Sequence, residues 1–106
     1  MTMVTTVSRK KIEILVDTPL VRRIQQLAAD AGTSGYTLQR TVGGEGGQGR
    51  WRAEEVTGGA GSKLVFATIV DEDGAERFLT ALEPLLNEYG LLATVSSVEV
   101  IRGERF

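Results

Sequence analysis

The residues Gly44-Glu45-Gly46-Gly47-Gln48-Gly49 spell G-x-G-x-x-G, the spacing with which a βαβ unit seats a dinucleotide pyrophosphate on backbone N–H groups. That chemistry requires a helix directly after the third glycine, because the pyrophosphate rests on the helix N-terminus. Only Arg50-Trp51-Arg52-Ala53-Glu54-Glu55-Val56 intervene before a second glycine run, Gly58-Gly59-Ala60-Gly61. That is about two helical turns, too short for a crossover helix. Asp71 does stand at the end of the next strand, where an acidic ribose ligand would sit, but the helix the motif needs is missing. A simpler chemistry remains. Backbone N–H groups unshielded by side chains form a nest for anions, and Arg50, Arg52 and Lys63 add positive charge near it. A flexible spacer has the same composition; Trp51 between two arginines favours contact with a partner over a spacer.

The residue types absent from the chain narrow the chemistry further. There is no cysteine and no histidine, which excludes disulfides, thiolate nucleophiles, zinc-thiolate sites and imidazole bases. Acid–base work by Asp, Glu or Lys and hard-cation sites of carboxylates stay open. Asp71-Glu72-Asp73 are read as acids at a helix start, serving the dipole rather than a metal. A formal charge of −2 gives no electrostatic case for nucleic acid. No apolar run approaches the roughly 20 residues that span a bilayer, and Met1 to Lys11 lack the pattern of a signal peptide. A cytoplasmic protein is expected, with membrane association only through a partner.

These residues must be positioned by elements that 106 residues, 42% hydrophobic and 25% charged, can build as one domain. Ile12, Ile14 and Val16 alternate with Lys11 and Glu13 as in a half-buried strand. Thr18 as N-cap and Pro19 at the first helical position precede Leu20, Val21, Ile24, Leu27, Ala28 and Ala31 at helical spacing, and Gly32 stops that helix. Gly35 to Val42 is rich in strand formers. From Gly43 to Gly61 the large apolar side chains are Trp51 and Val56 alone, too little to offset backbone entropy, so a long loop, mobile when nothing is bound, is expected. Lys63 to Val70 is apolar on both faces, as in a central strand covered on both sides. The second helix starts at Asp71 to Asp73, with Ala75, Phe78, Leu79, Leu82, Leu85, Leu86 and Tyr89 facing inward; Pro84 should kink or divide it, and Gly90 ends it. Leu91 to Arg102 forms the last strand.

The order βαββαβ, with two similar halves, predicts an α+β sandwich of the ferredoxin-like kind, with a long glycine-rich loop between its second and third strands. Helices cover one sheet face only. The other carries Leu15 and half of the third strand, so it should pack against something, most simply further copies of the chain.

The element order, the opening Arg9-Lys10-Lys11-Ile12-Glu13, the strand Gly35-Tyr36-Thr37-Leu38 leading into the glycine-rich loop, and the ending Ser97 to Phe106 resemble the PII signalling superfamily. The resemblance covers nearly the whole chain and is closest to the PII-like branch linked to inorganic carbon, the SbtB and carboxysome-associated CPII proteins. It implies one PII-like domain over residues 1–106, with a T-loop at about 43–62, that assembles as a homotrimer and binds adenine nucleotides in the clefts between subunits. Thr37 and the backbone near Ile69 would border the adenine. Gly43, Gly44 and Lys63 would approach the phosphates from the loop base, Gly90 and Leu91 from the position of the B-loop, and Arg102 and Arg105 from the C-terminus. Bicarbonate would be a co-ligand, with Arg50 or Arg52 as its partner. The nucleotide would order the T-loop, which would then meet or release a target such as a bicarbonate transporter or carboxysome component.

The chain departs from the superfamily in three places. The B-loop is reduced to Gly90-Leu91-Leu92, and the loss of phosphate contacts favours ADP or AMP over ATP, with cAMP as a further candidate. Neither Tyr36 nor Tyr89 lies in the T-loop, so the uridylylated tyrosine of other PII proteins is missing. The cysteine-bearing C-terminal extension of some SbtB proteins is missing too. Two other classes fit the same fold: a small nucleotide hydrolase using Glu54, Glu55 or Asp71, and a structural trimer resembling the CutA family.

Overall fold

A computed structural model of the chain describes residues 4–33, 35–46, 49–52 and 62–101. Strand β1 runs Thr6–Asp17, helix α1 Val21–Asp30, β2 Thr37–Arg40, β3 Gly43–Gly46, β4 Gly49–Arg52, β5 Lys63–Val70, α2 Glu72–Tyr89 and β6 Leu92–Ile101. The main sheet has the order β2-β5-β1-β6, and every neighbour is antiparallel. This is the ferredoxin-like βαββαβ fold; β3 and β4 form a separate ribbon between its halves.

Register decides which side chains meet the helices, because directly opposite residues share a face. Ile12 faces Thr68 and Ile14 faces Phe66, while Val16 faces Leu64. Ile12, Ile14, Val16 and Phe66 are fully buried against Ile24 of α1 and Phe78 and Leu82 of α2. Each such side chain contributes about 1.5–3 kcal/mol by leaving water. Phe66 stands at the centre, stacked on Tyr36 at 4.9 Å and tilted against Phe78 at 5.9 Å. Thr68 is the one polar residue among the described core residues; its hydroxyl donates to the carbonyl of Gly35 and ties the approach to β2 onto β5. The opposite face carries Leu15, Val65, Ala67 and Ile69, all half-buried. The expected cover on both faces of β5 is therefore present on the helix side only within this chain.

Several elements differ from the expectation. Strand β1 starts five residues before Lys11, since Thr6 to Arg9 find partners at Val98 to Ile101 on β6. Thr18 does not cap α1. Residues Thr18–Leu20 form a 3₁₀ turn, and the Thr18 backbone N–H and hydroxyl bond to Ser62 instead. Pro84 sits inside an undivided α2: the hydrogen bond it cannot make would have reached Thr80, and both residues lie on the exposed side of the helix, where the freed carbonyl is open to solvent. Asp71 caps α2, its carboxylate accepting the Gly74 N–H at 2.7 Å, with Glu72 and Asp73 in the first turn.

The expected loop from residue 43 is, over 43–46 and 49–52, an antiparallel ribbon with Gly44 opposite Trp51 and Glu45 opposite Arg50. Backbone pairing needs no apolar side chain, which is why composition alone pointed to a loop. Residues 47, 48 and 53–61 lie outside the described residues.

Candidate functional site

Three of the sequence candidates, Lys63, Gly90 and Leu91, meet where β1 ends, β5 and β6 begin, and α2 stops. The αL conformation of Gly90, with φ 61°, terminates α2 and turns the chain so that the Leu91 N–H bonds back to the Leu86 carbonyl. Leu92 then starts β6 directly opposite Leu15. Gly90, Leu91 and these two leucines line a cavity of about 300 Å³ together with Glu45, Gly46, Gly49 and Trp51 of the ribbon and Lys63 of β5.

Lys63 is the electrostatic centre of this cavity. It opens β5 directly opposite Asp17, the last residue of β1. Its ammonium lies 2.7 Å from the Asp17 carboxylate and 5.2 Å from the centre of the Trp51 ring. The pair is partly withdrawn from water, with the two side chains 17% and 30% exposed, which strengthens the attraction beyond that of a fully solvated pair. The Trp51 indole N–H donates to the Thr41 hydroxyl at 2.9 Å, which in turn donates to the Lys63 carbonyl at 2.8 Å. The ribbon is thus fastened to the start of β5 by one side chain that touches both its backbone bond network and its charge.

The sequence candidates divide accordingly. Lys63, Gly90 and Leu91 line the cavity together. Gly44 lies beneath the Trp51 ring, and Gly43 opens the ribbon opposite Arg52. Thr37 pairs with Ala67 on the open face of the sheet, the face that also carries Ile69 two residues further along β5, and neither lines this cavity. Arg50 is exposed and paired with Glu45 at 2.8 Å. Arg52 belongs to β4; its side chain, and Glu54, Glu55, Arg102 and Arg105 entirely, lie outside the described residues. Asp71 is engaged as a helix cap. Among the described residues no group of three or more carboxylates could hold a metal ion, and no helix is long and apolar enough to cross a membrane.

Sequence reasoning did not reach Asp17, Thr41 or Glu45. A signal for Asp17 was present: it is an acid at the end of one strand, and Lys63 is a base at the start of the strand that pairs with it. Only the register makes them opposite.

The family model described as nitrogen regulatory protein P-II matches residues 9–105. No curated protein matches the chain in sequence. Among solved structures, CPII from Thiomonas intermedia K12, a nitrogen regulatory PII-like protein bound to ADP, AMP and bicarbonate, is similar with a TM-score of 0.89 at 20% identity, covering 97% of each chain. A protein from Thermus thermophilus described as PII-like and signalling is 28% identical, with a TM-score of 0.81 over 95% of this chain and 97% of its own. The GlnK–ATP complex of B. subtilis is more distant, with a TM-score of 0.61 at 13% identity over 86% of this chain and 82% of that one. With the family match extending over almost all of the sequence and the ferredoxin-like sheet carrying a ribbon between β2 and β5, the chain belongs to the nitrogen regulatory protein P-II family.

Proposed function

We propose that this protein is a nucleotide-responsive regulator: a homotrimer, built from one PII-like domain spanning residues 1–106, that binds ADP or AMP in its inter-subunit clefts and changes the conformation of the T-loop, residues 43–62, to engage or release a target protein. The observation that carries this reading is the cavity in which Lys63, Gly90 and Leu91 meet the glycine ribbon. A cation beside a glycine-lined wall, with the ribbon joined to it through Trp51, suits a phosphate site coupled to a movable element. The half-buried open face of Leu15, Val65, Ala67 and Ile69 supplies the apolar surface on which three copies would close. Thr37 and Ile69 lie on that face and border the adenine from there, while Gly43, Gly44, Arg102 and Arg105 complete the phosphate contacts.

ADP and AMP are preferred to ATP because Gly90-Leu91-Leu92 offers few phosphate contacts; cAMP is a further ligand to compare. Bicarbonate, bound with ADP and AMP in CPII, is carried over as a co-ligand near Arg50 or Arg52. A target in inorganic carbon metabolism, such as a bicarbonate transporter or a carboxysome component, follows from the same likeness. The action is regulatory rather than catalytic. The test is incubation with AMP, ADP, ATP and cAMP, followed by chromatography of the nucleotide and light scattering of the protein. Bound, intact nucleotide on a trimer supports the regulator. Released product would make it a hydrolase, and a trimer that binds none of the four would leave a structural module.

A further inference from the structure

We propose that Asp17 determines how much negative charge the site accepts, acting as a resident counter-anion with which a nucleotide phosphate must compete for Lys63. The inference rests on the nucleotide-binding reading above and adds the residue that selects among nucleotides.

Lys63 is the only cationic side chain lining the cavity among the described residues, and its ammonium is already engaged by Asp17 at 2.7 Å. The Asp17 carboxylate precedes the Thr18–Leu20 turn without capping it by a side-chain bond. One further feature adds negative potential: the carbonyl end of α2, a negative pole, terminates at Gly90, whereas Glu45 on the ribbon side is offset by its pair with Arg50. An entering phosphate therefore shares Lys63 with Asp17, and each additional phosphate brings charge against a carboxylate that stays nearby. Repulsion from Asp17 grows with each unit of ligand charge, whatever other contacts the phosphates make. The arrangement favours AMP and ADP and penalises ATP.

Asp17→Asn removes the charge and keeps the shape. The expected result, from calorimetric titrations of AMP, ADP and ATP at low salt, is tighter binding of all three, with a gain that rises by about threefold for each added unit of ligand charge, the Coulomb scale for a separation near 6 Å in a water-like medium. That difference should shrink as salt is added. Asp17→Glu, which retains the charge, should keep the discrimination against ATP, and Asp30→Asn, at the other end of α1, should leave all three affinities unchanged. Circular dichroism and thermal melting of each variant verify its fold. An equal change for the three nucleotides in Asp17→Asn, or a loss of binding by a folded Asp17→Asn protein, would overturn the proposal while the nucleotide-binding reading stands. If the unsubstituted protein binds none of them, both fall.

Discussion

The indole of Trp51 occupies the space in which a side chain at position 44 would stand: a Cβ built on Gly44 would lie 2.5 Å from the ring. One glycine of the G-x-G-x-x-G stretch is thus required by a neighbouring ring across the ribbon. Gly44→Ala should unseat Trp51, breaking its hydrogen bond to Thr41 and its ring contact with the Lys63 ammonium, yet cost the global fold less than about 0.5 kcal/mol, as surface changes usually do. Trp51 is the only tryptophan, so its emission reads the change directly. A red shift at unchanged melting temperature is expected; unaltered emission would show that the ring is not held by this contact.

Lys63 separates stability from binding. Lys63→Met removes a partly exposed ion pair, worth about 0.2–1 kcal/mol in such settings. The same substitution should weaken ADP binding by about 1.5–3 kcal/mol, the scale of a charged hydrogen bond. Urea unfolding and calorimetry give the two numbers. Equal losses in both would mean that Lys63 acts only as a structural tether.

Thr68 offers a test within the core. Thr68→Val is nearly isosteric and would look favourable by hydrophobicity, but it leaves the Gly35 carbonyl without its donor, a loss of about 1–3 kcal/mol. Denaturant melts should show destabilisation, smaller than the roughly 3–5 kcal/mol expected for Phe78→Ala. A stabilised Thr68→Val protein would contradict the bond to Gly35.

Acid should loosen the pairing of β1 with β6. The hydroxyls of Ser8 and Thr6 donate to Glu99 at 2.7 and 2.8 Å and hold its carboxyl below the ordinary glutamate value of 4.5, Ser8 having the larger effect. A carboxyl whose value is lowered by folding contributes stability at pH above 4.5 and loses it as the pH falls through the lowered folded value. Melting temperature followed downward from neutral pH should therefore fall less steeply below pH 4.5 in Glu99→Gln than in the unsubstituted protein. Identical slopes would remove Glu99 from the acid response.

Most of the main sheet and both helices could be read in advance, because Ile12, Ile14 and Val16 alternate, and Phe78, Leu82 and Leu85 repeat, at the spacings that burial on one face imposes. What escaped prediction depends on partners distant in sequence. Thr18 has the composition of a helix cap, but Ser62, 44 residues away, takes its hydroxyl. The ribbon has no hydrophobic period to read, since its fit is a ring lying over a missing side chain. Lys63, Gly90 and Leu91 were reachable through the likeness to PII proteins, whereas Asp17 required the register of β1 against β5.

The central claim is that the cavity beside Lys63 is a nucleotide site coupled to the ribbon. A calorimetric titration of ADP into the protein, with Trp51 emission followed in parallel, tests it most directly. The account predicts saturable binding in the micromolar range together with a change in Trp51 emission that saturates at the same concentration. No heat and no emission change at millimolar ADP would contradict it.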